Sequence, residues 1–167
     1  MPARPKIDLV EGSLTEIIIG AFYTVYNYFG FGLLESIYKI ALEIELRLRG
    51  HRVDREVPVA IEYKGHLIRK QRIDMVVDRK VIVEVKAQRR LSPDFEQQVN
   101  TQLKASEFEV ALLLHFGPRP DTHRFYMPNR TKPRQSHFID QQHAHKDERE
   151  AGDHARRDPL AKEQGPP

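Results

Sequence analysis

Hydrophobic residues along this chain fall into two rhythms, and the change between them marks out the elements. Ile17, Ile18, Ala21, Phe22, Val25 and Phe29 follow Leu14 at three- and four-residue spacing, which predicts a helix over about 14–28, stopped by Gly30-Phe31-Gly32. Ser13-Leu14-Thr15-Glu16 has the form of a capping box, with the Ser13 hydroxyl set for the backbone N–H of Glu16 and the Glu16 carboxylate reaching back. A second stripe, Leu34, Ile37, Tyr38, Ala41, Leu42, Glu45 and Leu48, predicts a helix over 33–49 that ends at Gly50. From Val53 the period becomes two: Val57, Val59, Ile61 and Tyr63 alternate with Pro58, Ala60 and Glu62 up to a turn at Lys64-Gly65. Pro58 places this strand at an edge or delays its start.

The next strand, Leu67 to Val77, is the first arm of a hairpin that ends at Lys86. Ile73, Met75 and Val77 share one face, as do Val81, Val83 and Val85. Putting both triplets in one core requires Val77 opposite Val81, Met75 opposite Val83 and Ile73 opposite Val85, because a one-residue slip would turn one triplet outward. The loop is then Asp78-Arg79-Lys80, and Asp74 stands opposite Glu84 on the other face, with Lys86 two residues along.

Leu91-Ser92-Pro93-Asp94 is a helix start, Ser92 as N-cap and Pro93 in the first turn; the helix runs to about Ser106 with a thin stripe of Phe95, Val99 and Leu103. Phe108 to Phe116 is almost unbroken apolar sequence, suited to an interior strand, and Arg124 to Pro128 suits a last short edge strand. The order predicts an α/β layer whose sheet is covered mainly on one side, its other face carrying Asp74, Glu84 and Lys86. Residues 1–12 form a polar lead, 13–133 one domain, and 134–167, where apolar residues nearly vanish, a disordered tail. His137, His143, His145 and His154 in that tail are expected to be solvated.

Composition narrows the picture modestly. The 167 residues suffice for one domain with a proper core, and 27 Lys+Arg against 24 Asp+Glu leave +3, compatible with a polyanionic partner without demanding one. Without cysteine there is neither a disulfide nor cysteine-ligated zinc. No apolar run approaches the roughly 20 residues of a membrane span, and the first residues lack a signal-peptide core, so a cytoplasmic protein without membrane contact is expected.

The chemistry sits on the hairpin. Like charges directly opposite on a sheet are destabilising, so Asp74 facing Glu84 is either a solvated mixed-charge patch or a pair of oxygen ligands for a divalent cation, with Lys86 beside it to steady a developing negative charge. Glu35 admits two readings as well, favourable placement at a helix N-terminus or a further ligand leaning over the sheet. Tyr23, Tyr26 and Tyr28 are expected to pack rather than stack on bases, and His115 to be a strand-end histidine rather than a ligand.

Gly32-Leu33-Leu34-Glu35-Ser36-Ile37-Tyr38 has the pattern Gly-x-x-Glu-x-x-Tyr. Together with Ile18-Ile19-Gly20-Ala21, Tyr63-Lys64-Gly65, Asp74, the run Val81 to Lys86, and Leu91-Ser92-Pro93 before a helix carrying Gln98, it resembles the GxxExxY family of small bacterial and archaeal proteins, grouped with the PD-(D/E)XK nuclease-like superfamily. The resemblance spans Leu14 to about Lys132. It implies a restriction-endonuclease-like αβββαβ core, an α/β (α+β-like) fold with a central mixed sheet and flanking helices. It also implies Mg²⁺ or Mn²⁺ held by Asp74 and Glu84, with Glu35 completing the site, and Lys86 with Gln98 assisting hydrolysis of phosphodiester bonds. Gln102 stands where some branches have tyrosine, Ile73 where the superfamily name has proline, Tyr26 in place of a histidine and His115 in place of an asparagine. The implied partner is nucleic acid, DNA in preference to RNA, and a homodimer is allowed; Arg69, Lys70, Arg72, Arg89, Arg90 and Lys104 flank the site and, with Gln102, are either its contacts to nucleic acid or ordinary surface residues. The alternatives are a catalytically inactive nucleic-acid- or protein-binding module of the same fold, and hydrolysis of another phosphate compound.

Overall fold

The computed structural model describes residues 9–133. Its elements are α1 (Gly12–Phe29), α2 (Glu35–Leu48), β1 (Val53–Tyr63), β2 (His66–Val77), β3 (Val81–Lys86), α3 (Pro93–Lys104), β4 (Val110–Phe116), β5 (Pro120–Tyr126) and a 3-10 turn over Asn129–Thr131. The sheet has the order β1-β2-β3-β4-β5, antiparallel except for the β3–β4 pair, which α3 joins as a parallel crossover. This is the expected mixed-sheet α/β fold. The expected disordered tail, with its histidines, lies outside the described residues, as do residues 1–8.

The expectation of a sheet covered mainly on one side does not hold. All seven residues of β4 are buried, and a strand apolar on both faces needs cover on both. On one face Ile18, Phe22 and Val25 of α1 and Tyr38, Leu42 and Leu46 of α2 pack on Met75, Val83, Leu112 and Leu114. On the other, Val99 and Leu103 of α3 pack on Val76, Ile82 and Leu113. The thin stripe of α3 is therefore enough to seal the second core.

Local starts and stops follow the sequence with instructive exceptions. Ser92 accepts the Asp94 N–H at 3.3 Å, and Pro93 opens α3. Lys64 and Gly65, both at positive φ, close the β1–β2 hairpin, and β1 lies at the edge of the sheet, where Pro58 costs no ladder bond to a further strand. The capping box at Ser13 is not formed. Helix α1 begins earlier, at Gly12, behind Glu11 in the left-handed region, so Ser13 lies inside the first turn. Of the predicted stripe of α2, Tyr38 and Leu42 are buried and Ala41 packs against them, joined by Leu46, whereas Leu34 and Leu48 are exposed because the buried line runs along positions four apart. The last strand is longer than expected, seven residues paired to β4 along its whole length. Tyr26 packs near Phe22 and Phe116 and donates its hydroxyl to the Gly117 carbonyl at 2.9 Å, whereas Tyr28 is exposed against Phe29 instead of packing.

The central hairpin keeps its predicted register only at the loop end. Val77 pairs with Val81, Val76 with Ile82 and Met75 with Val83, and the ladder stops there. Asp78 and Arg79 take left-handed conformations, and Lys80 N–H closes the loop onto the Val77 carbonyl at 3.0 Å. Beyond Met75 the strands part, so the Asp74–Glu84 and Ile73–Val85 pairs do not form. The neighbouring strand is interrupted at the same point. Glu56 adopts φ 52°, and its pairing with Asp74 is missing between the Arg55–Met75 and Val57–Ile73 pairs. Both strands change faces at that point: Val53, Met75 and Val77 lie in the core under α1 and α2, while Val57 and Ile73 lie in the core under α3. Ile73 therefore does not share a core with Met75 and Val77.

Candidate active site

Glu84 and Lys86, two apart on β3, point to the α3 side, where both are buried. Glu84 Oε1 accepts from Lys86 Nζ at 2.8 Å and from Gln98 Nε2 at 2.7 Å, and its Oε2 from Gln102 Nε2 at 3.2 Å. The Lys86 ammonium also lies 4.7 Å from the centre of the Phe95 ring. Burial pushes the Glu84 carboxyl above its ordinary range and the nearby charge of Asp74 pushes it further, against the opposing pull of Lys86 and Gln102.

Asp74 occupies the point where the strands part. Its Oδ2 accepts the Val85 N–H at 3.0 Å, satisfying a backbone donor that the interrupted ladder leaves open, and its Oδ1 accepts from Lys39 Nζ at 2.7 Å. Lys39 also reaches Glu35 Oε1, one turn earlier on α2, at 3.0 Å. Burial alone would lower the Lys39 pKa, but the Asp74 and Glu35 carboxylates outweigh it and raise the value.

The Gly-x-x-Glu-x-x-Tyr stretch sets Glu35 in place. Gly32 stands at φ 117°, a conformation open to glycine, and lets the chain turn from α1 into α2. The buried Tyr38 donates its hydroxyl to the Gly30 carbonyl at 2.6 Å, accepts the Leu33 N–H at 3.2 Å and stacks on Phe116. Tyr38 thus ties the turn to the core, and Glu35, one turn before it, leans toward Asp74 through Lys39.

The structure brings Glu35, Asp74, Glu84, Lys86 and Gln98 into one neighbourhood. Gln102, expected to touch nucleic acid, is instead fully buried, its amide nitrogen donating to Glu84 and to the Arg72 carbonyl, so it supports Glu84. Arg72, Arg89, Arg90 and Lys104 are exposed; Arg72 lies 3.8 Å from Glu56, and Arg89 lies over the Phe31 ring at 5.7 Å. His115 is buried at the end of β4 with Nε2 2.6 Å from the Gln88 carbonyl. Sequence reasoning misses Lys39, although its spacing of four from Glu35 is an available signal. A groove of about 690 Å³ adjoins the site, walled by Ile61, Arg69, Lys70 and Arg72 on the hairpin arm and by Gln97 and Gln98 on α3.

Among the described residues, no group of three His, Asp or Glu side chains is gathered closely enough to hold a metal. The donor chemistry of Asp74 and Glu84 nevertheless suits a hard divalent cation: both offer carboxylate oxygens, and the charge of one raises the pKa of the other, a repulsion that a cation relieves. Glu35 is held by Lys39.

The mixed sheet, with its central hairpin parted at Asp74 beside Glu84 and Lys86, is consistent with a restriction-endonuclease-like core. Residues 12–125 match the family model of the PD-(D/E)XK nuclease superfamily, and the chain belongs to that superfamily. No curated protein and no solved structure gives a significant match.

Proposed function

We propose that this protein is a metal-dependent nuclease that hydrolyses phosphodiester bonds in DNA. The observation that carries the reading is the convergence of Asp74, on the parted hairpin, with Glu84 and Lys86 beside a groove lined by Arg69, Lys70 and Arg72. Asp74 and Glu84 would hold Mg²⁺ or Mn²⁺, with Glu35 as a further ligand. When bound, the ion supplies Lewis acidity toward a phosphoryl oxygen and acidifies water. Lys86 would stabilise charge on the attacked phosphate, while Gln98 fixes the Glu84 carboxylate from α3. The basic wall of the groove suits a phosphate backbone, which exposed Lys and Arg hold without reading sequence. Assignment to the GxxExxY branch is supported by the distinct work of its three positions: Gly32 turns the chain, Tyr38 anchors the turn and Glu35 reaches the site.

The test is cleavage of supercoiled plasmid in Mg²⁺ or Mn²⁺. Wild type is expected to nick or linearise it; Lys86→Ala is expected to lose about 10²–10⁴-fold in rate, the range for a positioned catalytic group. Wild type that binds DNA with no cleavage in either metal would instead support the inactive binding module, and equal rates in wild type and Lys86→Ala would overturn the mechanism.

A further inference from the structure

We propose that Lys39 is a built-in counter-ion that occupies the cation position of the carboxylate cluster and gives up Asp74 when a divalent metal binds; this rests on the reading of Asp74 and Glu84 as metal ligands. The Lys39 ammonium lies 2.7 Å from Asp74 Oδ1 and 3.0 Å from Glu35 Oε1, and its side chain is 15% exposed. Asp74 Oδ2 accepts the Val85 N–H, and Oδ1, the oxygen that takes no backbone donor, is the one that Lys39 holds. A Mg²⁺ ion sits about 2.0–2.1 Å from its oxygen ligands. An ammonium and a dication on the same oxygen would place two positive charges within a few ångströms in a half-buried site, where the repulsion is poorly screened.

Charge balance points the same way. Glu35, Asp74 and Glu84 face two ammonium groups, Lys39 and Lys86, so the cluster is close to neutral without metal. Taking Lys39 away leaves three carboxylates against one ammonium, a surplus that a divalent cation offsets. Lys39 stands between Glu35 and Asp74, bonded to both.

The experiment is calorimetric titration of Mn²⁺ into the full chain as wild type, Lys39→Gln, Lys39→Met and Lys80→Gln, with thermal midpoints measured with and without Mn²⁺. The Lys39 variants are expected to bind Mn²⁺ about tenfold tighter or more, to melt lower than wild type without metal and to recover with it. Lys80→Gln removes the same charge from the hairpin loop, beside Glu11, and is expected to change affinity by less than about twofold because exposed charges at a distance are screened. Lys39→Gln retains an amide donor for Asp74 and serves if Lys39→Met does not fold. Unchanged or weaker Mn²⁺ affinity in the Lys39 variants, whatever their stability, overturns the proposal while leaving the metal site standing. No binding by wild type or by any variant overturns the metal site and this proposal together.

Discussion

At its loop end the β2–β3 hairpin is a regular ladder; at its other end it is not. Val77, Val76 and Met75 pair with Val81, Ile82 and Val83, and all six are buried between the helix layers. One residue further, the pairing stops, Asp74 takes the Val85 N–H with its carboxylate, and Glu84 is surrounded by Lys86, Gln98 and Gln102. The two ends also treat carboxylates differently. Burial alone would raise the pKa of Asp78 at the loop end, but His51 and the Arg52 N–H outweigh it and lower the value. Glu84 at the open end is buried beside Asp74, and its pKa is raised. The closed end holds the fold together, and the open end holds charges that the fold alone would not favour.

That contrast can be broken from either side. The largest effect is expected at the closed end, where Ile82→Ala should cost about 2–5 kcal/mol in urea unfolding, because a fully buried side chain leaves a cavity. A cost below about 1 kcal/mol would show that this end is not close-packed. Asp78→Asn should cost about 1 kcal/mol at neutral pH through weakened hydrogen bonds to His51 and the Arg52 N–H. The Asp78 contribution is present above its ordinary pKa of 3.8 and is lost as pH falls through the lowered folded value. Glu84 has the opposite sign. Its folded pKa lies above 4.5, so the folded state binds more protons in the window between the two values, and metal-free stability falls as pH rises through that window. Denaturation of wild type and Glu84→Gln across about pH 4–8 should show this slope in wild type and a flatter one in the variant; identical slopes would remove Glu84 from the account.

Alternation makes the closed end legible: the Val77–Val81 register, the three-residue loop and the interior β4 all follow from which residues are apolar. Asp74, Glu84 and Lys86 stand out in the sequence as charges on an apolar hairpin, but the direct Asp74–Glu84 opposition that alternation implies does not form. What alternation does not show is the change of face at Glu56 and Asp74, since period two assumes a continuous ladder, and a left-handed glutamate carries no periodic signal. Ile73 falls in the other core for that reason. Gln102 reads as a surface amide on a polar helix, yet it is buried, its Nε2 bonded to Glu84 and the Arg72 carbonyl. Lys39 escapes notice because a Glu-Lys pair four apart usually marks a solvated helix face, and only the tertiary approach of α2 to β2 brings it to Asp74.

The most direct measurement is calorimetric titration of Mn²⁺ into the full chain, wild type against Asp74→Asn, a change that keeps an acceptor for the Val85 N–H and removes the charge. Saturable binding by wild type that weakens about tenfold or more in the variant is the predicted result. Equal affinity in the two proteins would contradict the assignment of Asp74 and Glu84 to a single cation.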